Sequence, residues 1–230
     1  DPARPEVPQA IRQCHEAGIR IIMITGDHPR TAVAIARNIG LVRTEQPLVV
    51  TGEQLRQFSD AQLQLALDAD EILFARVAAE QKLQIVQALK AKKQVVAVTG
   101  DGVNDAPALK AAHIGVAMGI TGTDVARESA DLILLDDSFA AIVFAIEEGR
   151  AVFANVRKFT TYVFTSNAPE AASFIAFALS GGRIPPALDV MRILAVDLGT
   201  DVLPAVALGG EAPEPGLMRR PPRPRTAHLI

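Results

Sequence analysis

Apolar residues in the first 137 positions follow two alternating patterns. Runs of consecutive apolar residues predict buried strands, and apolar residues spaced three and four apart predict amphipathic helices. The predicted strands cover residues 19–25, 48–51, 71–77, 95–99, 114–118 and 132–135. The predicted helices cover residues 8–18, 31–39, 53–58, 61–67 and 80–91. Such strands, separated by helices, predict an α/β domain in which helices cover both faces of a parallel sheet.

The pattern changes in the last third of the chain. Residues 138–180 contain a single proline and a single glycine, and they therefore predict one long helix. Residues 138–158 suit a stalk, whereas residues 159–180 carry one charge, that of Glu170. After a turn rich in glycine and proline, residues 187–210 form a second apolar segment. Each apolar segment has about the 20 residues that a bilayer requires.

Basic residues flank these two segments on their outer sides. They are Arg150, Arg157, Lys158, Arg219, Arg220, Arg223 and Arg225, while the turn between the segments carries Arg183. This distribution follows the positive-inside rule and predicts a transmembrane hairpin with both ends in the cytoplasm. Residues 211–230 would then be a cytoplasmic tail that leads to a further membrane segment. The alternative is a pair of buried core helices in a soluble protein, which the acidic residues inside the segments favour.

The composition excludes several kinds of function. The net charge of −3 lacks the basic footprint of a nucleic-acid-binding protein. Cys14 is the only cysteine, which excludes a disulfide within the chain and a cysteine-based zinc site. The chain shows no signal-peptide pattern and opens without methionine in the middle of a pattern, so we expect it to be part of a longer polypeptide.

Residues 99–110, TGDGVNDAPALK, carry the strongest chemical signal. They follow a predicted buried strand and lead into a helix, and open α/β sheets bind ligands at the carboxyl ends of their strands. Asp101, Asn104 and Asp105 place three oxygen-bearing side chains within five residues, which suits Mg²⁺. A GDG sequence by itself would equally indicate an acidic surface turn, with Asp105 as a helix cap.

Thr25, Gly26 and Asp27 repeat this arrangement at the end of another predicted strand. A hydroxyl and backbone N–H groups at the start of a helix can hold phosphate, although these three residues are also compatible with an ordinary turn. Lys82 lies on the helix that follows a third strand, where its ammonium group either pairs with phosphate or is simply solvated.

Together with residues 1–4, DPAR, and residues 125–149, these motifs resemble the phosphorylation domain of P-type ATPases, members of the haloacid dehalogenase superfamily. The resemblance covers nearly the whole chain and implies a Rossmann-like parallel sheet. It makes residues 1–137 the carboxyl-terminal portion of that domain, which is cytoplasmic. The family uses ATP and Mg²⁺ and forms an aspartyl-phosphate.

The resemblance also implies a role for each matching residue. Thr25, Gly26 and Asp27 would bind the transferred phosphoryl group, and Lys82 would neutralise it. Asp101 would hold Mg²⁺ with Asp105, and Asn104 would complete the site. The residues expected at the nucleotide hinge, and so in contact with ATP, are Asp1, Pro2 and Arg4.

Polar residues inside the two apolar segments predict an ion site. Asn167 and Glu170 are three residues apart and share one helix face, and Asp197 and Asp201, four apart with Thr200 adjacent, share another. Prolines and a glycine interrupt both helices, and transporters coordinate ions at such interrupted helices.

The same segments resemble the fifth and sixth membrane helices of type II cation pumps, which include calcium, sodium–potassium and proton–potassium ATPases. Residues 166–170 read SNAPE and residues 197–205 read DLGTDVLPA. Asp197 and Pro169 are the sodium–potassium-like choices, and calcium and protons are the alternatives. The resemblance implies a multi-pass protein of a plasma or inner membrane. Its partners would be the transported cation, the lipid bilayer and the remaining domains of the same pump.

Two other functions are compatible with parts of the sequence. A soluble phosphatase of the same superfamily would carry its own nucleophile near the amino terminus and would not need carboxylates in apolar helices. A non-catalytic module with a vestigial site would be expected to have lost Asp101 or Lys82. The carboxylates in the apolar segments argue against the phosphatase, and the presence of Asp101 and Lys82 argues against the vestigial module. Both observations favour the pump.

We expect this polypeptide by itself to be inactive. The family's nucleophile is the aspartate of a DKTGT motif, and these 230 residues do not contain that motif. Incubation of the purified chain with radiolabelled ATP should therefore give no acid-stable, hydroxylamine-sensitive phosphoprotein. A stoichiometric phosphoprotein with these properties would contradict the prediction.

Overall fold

The computed structural model describes residues 4–186 and 188–224. These residues form two compact units, of which one ends at Phe144 and the other begins at Ala145. Each unit has its own architecture, and the candidate phosphate-binding residues all lie in the first.

The first unit alternates strands and helices, as the sequence predicts. Its strands are β1 (Met23–Ile24), β2 (Leu48–Thr51), β3 (Ile72–Ala75), β4 (Ala97–Gly100), β5 (Ile114–Met118) and β6 (Leu132–Leu134). Its helices are α1 (Val7–Glu16), α2 (Pro29–Asn38), α3 (Gly52–Gln57), α4 (Asp60–Ala66), α5 (Ala79–Ala91), α6 (Ala106–Ala111) and α7 (Asp124–Glu128). A short 3₁₀ turn, Val103–Asp105, precedes α6.

All strand pairings in the described residues are parallel, which confirms the predicted α/β class. The strands form two three-stranded sheets, in the orders β1-β3-β2 and β4-β5-β6. In the first sheet Ile24 lies opposite Phe74, and in the second Thr99 lies opposite Val116. Helices at the crossovers bring the carboxyl ends of the strands in each sheet to the same edge.

The core of the first sheet is centred on β3, whose four residues are all buried. Phe74 packs with Leu55, Leu63 and Ile85 on one face of the sheet. Leu73, the next residue along the strand, packs on the other face with residues of α1 and α2. Because successive side chains of a strand point to opposite faces, a strand that is covered on both sides must be apolar throughout.

Other strands that the sequence predicts as buried are less buried than β3, and in β6 Leu132 and Ile133 are exposed. The predicted strand at residues 19–25 shortens to β1, whose two residues are half-buried. In β4, Ala97 and Thr99 are exposed. Each of these strands pairs with one neighbour among the described residues, β1 with β3 and β4 with β5, so each lies at the edge of its sheet. The prediction of burial is therefore wrong for β1, β4 and β6.

The long helix predicted at residues 138–180 is present as α8 (Phe139–Leu179), with Pro169 inside it. The second apolar segment is divided into two helices, α9 (Val190–Thr200) and α10 (Val202–Gly209). Pro204 explains part of this break, since it has no N–H to donate to the carbonyl of Thr200 four residues earlier. That carbonyl accepts a hydrogen bond from the hydroxyl of Tyr162 instead, at 2.8 Å.

None of the helices in the described part of the chain combines the length and the apolarity of a membrane span. Ala187, the first residue of the second predicted segment, lies outside the described residues, as does Arg225.

Residues 211–220 pack against α8 within the second unit. The guanidinium group of Arg150 donates to the carbonyls of Leu217 and Arg220 at 3.1 and 2.9 Å. The amide of the buried Asn155 donates to the carbonyl of Glu211 at 2.8 Å. Lys158 pairs with the carboxylates of Glu211 and Glu214, which raises the pKa of its ammonium group. Arg150 and Lys158, two of the basic residues that precede the first apolar segment, therefore bind residues 211–220.

Candidate phosphate site and ion site

The Thr25 loop follows β1 and precedes α2. The hydroxyl of Thr25 donates to Asp27 Oδ2 at 3.0 Å and accepts from the backbone N–H of Asp27 at 3.1 Å. The backbone N–H groups of Arg76 and Val77, just after β3, donate to the carbonyls of Asp27 and Thr25 at 3.1 and 3.2 Å. The loop is thus fixed at the carboxyl edge of its sheet, where Gly26 and Asp27 are exposed.

His28, which the sequence does not single out, caps the helix after this loop. Its Nδ1 accepts a hydrogen bond from the backbone N–H of Arg30 at 3.2 Å, and Pro29 occupies the first position of α2. Histidine takes the place of the usual hydroxyl or carboxylate acceptor at a helix start, so only the helix-start proline in the sequence pointed to this cap.

Lys82 and Asp105 form an ion pair, with the ammonium nitrogen 2.5 Å from Asp105 Oδ1. Lys82 comes from α5, which follows β3 of the first sheet, and Asp105 comes from the loop after β4 of the second. The side chain of Asp105 is 9% exposed and that of Lys82 is 24% exposed. A carboxylate as buried as this requires a compensating charge. The ion pair therefore fixes the ammonium group of Lys82 beside the loop that follows β4.

The other oxygen of Asp105 organises the backbone of its own loop. Asp105 Oδ2 accepts from the N–H groups of Asp101 and Gly102 at 3.3 and 3.2 Å. Gly100 makes this fold of the loop possible, because a Cβ at that position would lie 2.5 Å from the Cβ of Asp105. Both oxygens of Asp105 are therefore engaged by the protein.

Asp101 and Asn104 are exposed at the tip of the same loop, and their side chains make no hydrogen bond among the described residues. Asp101 thus presents a free carboxylate close to the Lys82–Asp105 pair, which fits the chemistry of a Mg²⁺ ligand. Within residues 4–186 and 188–224, no group of three or more histidine, cysteine, aspartate or glutamate side chains is placed to hold a metal ion. Any Mg²⁺ here would need ligands from substrate and water as well.

The structure brings some of the predicted site residues together and leaves others apart. Lys82, Asp101 and Asp105 are joined by hydrogen bonds and an ion pair. No hydrogen bond or ion pair in the described part of the chain connects the Thr25 loop to them. Asp1 and Pro2, predicted at the nucleotide hinge, lie outside the described residues.

Arg4, the third predicted hinge residue, contacts a residue that the sequence analysis missed. Its guanidinium group donates to the carbonyls of Asp137 and Asp136 at 2.7 and 3.4 Å. Asp137 is 5% exposed and has a positive φ of 53°. The positive φ falls in a left-handed conformation that aspartate tolerates better than most residues, and nothing in the alternation of apolar and polar positions distinguishes Asp137 from Asp136.

The carboxylate of Asp137 holds the loop after β5. It accepts from the N–H groups of Ile120 and Thr121, both at 2.9 Å, and from the Thr121 hydroxyl at 2.8 Å. Burial opposes ionisation of this carboxyl group, but the hydrogen bonds from Ile120 and Thr121 outweigh it and lower its pKa from 3.8 to about 2.

In the second unit, the predicted ion-site residues lie on α8, α9 and the break that precedes α10. Two buried side-chain oxygens have no hydrogen-bond partner among the described residues, Asn167 Oδ1 and Asp201 Oδ1. Of the other predicted ion-site residues, Glu170 lies on α8 and Asp197 lies on α9. The hydroxyl of Thr200 donates to the carbonyl of Val196 at 2.9 Å.

Buried polar atoms are normally hydrogen-bonded, so each exception needs a reason. Both unpaired atoms in this unit are oxygens, the ligand atoms that hard cations prefer. Asn167 lies on α8 and Asp201 lies at the break between α9 and α10, so the two unpaired oxygens come from two parts of the predicted ion site.

Two family models match different parts of the chain. Residues 1–113 match the model described as haloacid dehalogenase-like hydrolase, and residues 185–230 match the one described as cation transporting ATPase, C-terminus.

Relatives of known identity align along the whole chain. Sodium/potassium-transporting ATPase subunit alpha-3 of Homo sapiens is 45% identical over 255 aligned residues, which cover 100% of this chain and 25% of the relative. The alpha subunit of Drosophila melanogaster is 47% identical over 97% of this chain and 24% of its own length. The chain therefore spans about a quarter of the length of these relatives.

A solved structure has a similar fold. It is the crystal structure of a zinc-transporting PIB-type ATPase in the E2.Pi state, with a TM-score of 0.67 and 29% sequence identity. The similarity covers 96% of this chain and 28% of that one.

The loop after β5 should lose protection in acid. Asp137 has a folded-state pKa below its ordinary value, so its ionised form contributes stability that is fully present above pH 3.8 and is lost as the pH falls to about 2. Amide hydrogen exchange at Ile120 and Thr121 across this range should show the loss, with Val116 in β5 as the control amide. Protection that stays constant at Ile120 and Thr121, or that falls equally at Val116, contradicts the prediction.

Proposed function

Because the chain belongs to the P-type ATPases, we propose that it is part of a pump that moves cations across a membrane through an aspartyl-phosphate intermediate. The observation that carries this proposal is the ion pair between Lys82 and the buried Asp105 beside the free carboxylate of Asp101. Phosphoryl transfer requires its spread negative charge to be met by an ammonium group, a metal ion and backbone donors that are already in position.

Each residue of the phosphate site has a role in this proposal. The hydroxyl of Thr25 and the backbone N–H of Gly26 bind the transferred phosphoryl group, with Asp27 fixing the Thr25 hydroxyl. The ammonium group of Lys82 neutralises phosphoryl oxygens. Asp101 holds Mg²⁺, which supplies additional positive charge to the phosphoryl oxygens.

Asp105 and Asn104 have supporting roles. Both oxygens of Asp105 are occupied by Lys82 and by the backbone of its loop, so we assign Asp105 to orienting the ammonium group and the metal-binding loop. This differs from direct coordination of Mg²⁺, the role that the resemblance implies. Asn104 is exposed at the tip of the loop, and we assign it to contact with the phosphoryl group or ATP.

The nucleophile comes from another part of the pump. β1 and β4 each lie at one edge of their sheet, although each belongs to a predominantly apolar run of the sequence, residues 19–25 and 95–99. Central strands of parallel sheets are apolar because both faces and both edges are covered. We propose that a strand carrying the catalytic aspartate pairs with these edges, next to the loops that hold Thr25 and Asp101.

The transported cation binds between α8 and the break at Asp201. Asn167, Glu170, Asp197, Thr200 and Asp201 supply the oxygen ligands. The unpaired buried oxygens of Asn167 and Asp201 are the physical support, since a bound cation would satisfy both. A sodium–potassium-like cation is the first choice, because relatives named for that transport are 45% identical and because Asp197 and Pro169 match that group. Calcium and protons remain the alternatives.

The hairpin of residues 159–180 and 187–210 is proposed to span the membrane, with the first unit in the cytoplasm. Large apolar side chains are exposed along both segments; they include Phe164, Ile175, Leu179, Met191, Leu198, Leu203 and Val206. Large apolar side chains exposed in this number are typical of a membrane or protein contact. Several of the polar residues that lower the apolarity of the helices are those assigned to the cation, and intramembrane ionisable residues usually serve function.

The two sites should fail in different ways in the full-length ATPase. Asp101→Asn should reduce phosphoenzyme formation at least about 100-fold, because the metal loses its carboxylate. Asp201→Asn should leave phosphorylation chemistry intact but remove its dependence on the transported cation. Phosphoenzyme formed from radiolabelled ATP, measured against cation concentration, separates the two effects.

Matched controls lie in the same units. Asp70→Asn changes an exposed carboxylate of the first unit, and Asp189→Asn changes an exposed one at the start of α9. Both should retain phosphorylation and its cation dependence. Identical defects in Asp101→Asn and Asp201→Asn, or equal defects in the controls, contradict the separation into two sites.

A further inference from the structure

Asp101 is held by its backbone from two sides. Its N–H donates to Asp105 Oδ2 at 3.3 Å, and its carbonyl accepts from the N–H of Thr123 at 2.8 Å. Within the part of the chain that the structure describes, the side chain of Asp101 forms no hydrogen bond or ion pair. Its carboxylate can therefore be placed only as accurately as these two backbone hydrogen bonds hold the loop.

Thr123 belongs to a segment that the protein anchors strongly. Arg127 donates to the carbonyls of Gly119 and Gly122, at 2.9 and 2.7 Å. The segment also turns tightly, since a Cβ on Gly122 would lie 1.9 Å from the carbonyl oxygen of Met118. The N–H of Gly119 donates to the carbonyl of Leu134 at 2.9 Å.

Asp137 fixes residues 119–123 through hydrogen bonds to their backbone. Its carboxylate binds the N–H groups of Ile120 and Thr121, as described above, and its own N–H donates to the carbonyl of Leu134 at 3.1 Å. Its carbonyl accepts from Arg4. Hydrogen bonds, together with the covalent backbone of residues 120–123, therefore link Arg4 and Asp137 to the backbone of Asp101.

We propose that Asp137 is a positioning residue for the metal-binding loop: it fixes residues 119–123 and, through Thr123, the position of the Asp101 carboxylate. The inference rests on the proposed function of Asp101 as a Mg²⁺ ligand. Residues that hold a metal ligand in place commonly change metal affinity by about 10–100-fold when they are replaced. Through Arg4, the same residue connects the predicted nucleotide hinge to the metal-binding loop.

The decisive variant is Asp137→Asn, because it keeps the size of the side chain and its tolerance of positive φ. Asparagine has one oxygen and one NH₂ group where aspartate has two oxygens. One of the two backbone N–H groups, that of Ile120 or that of Thr121, would then face another donor. Asp136→Asn is the matched control, since Asp136 is exposed. Its carboxylate accepts a hydrogen bond from the N–H of Ser138, which an amide oxygen can also accept.

The measurement is phosphoenzyme formation by the full-length ATPase as a function of Mg²⁺ concentration, at saturating ATP. We expect Asp137→Asn to raise the Mg²⁺ concentration for half-maximal phosphorylation about 10–100-fold. Asp136→Asn should leave it unchanged. Amide exchange at Thr123, measured in the same proteins, should accelerate in Asp137→Asn while that of Phe74 in β3 does not.

The outcomes distinguish this inference from the proposed function. If the wild-type ATPase forms no Mg²⁺-dependent phosphoenzyme, the proposed function fails. If it does, and folded Asp137→Asn has the wild-type Mg²⁺ dependence, the positioning role is overturned. Should Asp137→Asn not fold, Thr121→Val removes one hydrogen bond to Asp137 at an exposed position and should shift the Mg²⁺ dependence severalfold. If the Mg²⁺ dependence of phosphorylation did not shift in Thr121→Val, the role of Asp137 would be purely structural.

Discussion

The buried carboxylate of Asp105 is the constraint on which the candidate phosphate site depends. An ionised group that is 9% exposed is costly to bury unless it is paired and hydrogen-bonded. Lys82 supplies the charge, and the N–H groups of Asp101 and Gly102 supply the hydrogen bonds. Lys82, on the helix that follows β3 of the first sheet, is thereby fixed beside the loop that follows β4 of the second sheet. The same carboxylate thus orients an ammonium group and shapes the loop that presents Asp101.

Two of the four edge strands, β1 and β4, give this arrangement its functional meaning. β1 and β4 end in the Thr25 loop and the Asp101 loop, and both strands are less covered than their apolar sequences would require. A strand from another part of the pump that pairs with these edges would complete the burial and would end close to both loops. Completing the sheet and delivering the nucleophile would then be one structural event.

Much of this could be predicted from the sequence, because strand and helix periodicities are local. The strand at Ile114–Met118 and the helix interrupted near Pro204 are examples. Burial of β1 and β4 could not be predicted, since it depends on neighbours that are distant in sequence. The engagement of Asp105 by Lys82 and the role of Asp137 were also missed. An acidic residue in a loop gives the same pattern whether its carboxylate faces solvent, a metal ion or buried backbone donors.

A double-mutant cycle on Lys82 and Asp105 tests the central claim most directly. The variants Lys82→Met, Asp105→Asn and the double variant would be compared in the full-length ATPase by the free energy of unfolding of the phosphorylation domain. If the pair organises the site, the double variant should be less destabilised than the sum of the single variants, by a coupling free energy of about 0.5–3 kcal/mol. Effects that add to within about 0.5 kcal/mol would show that the two side chains act independently, which contradicts the account.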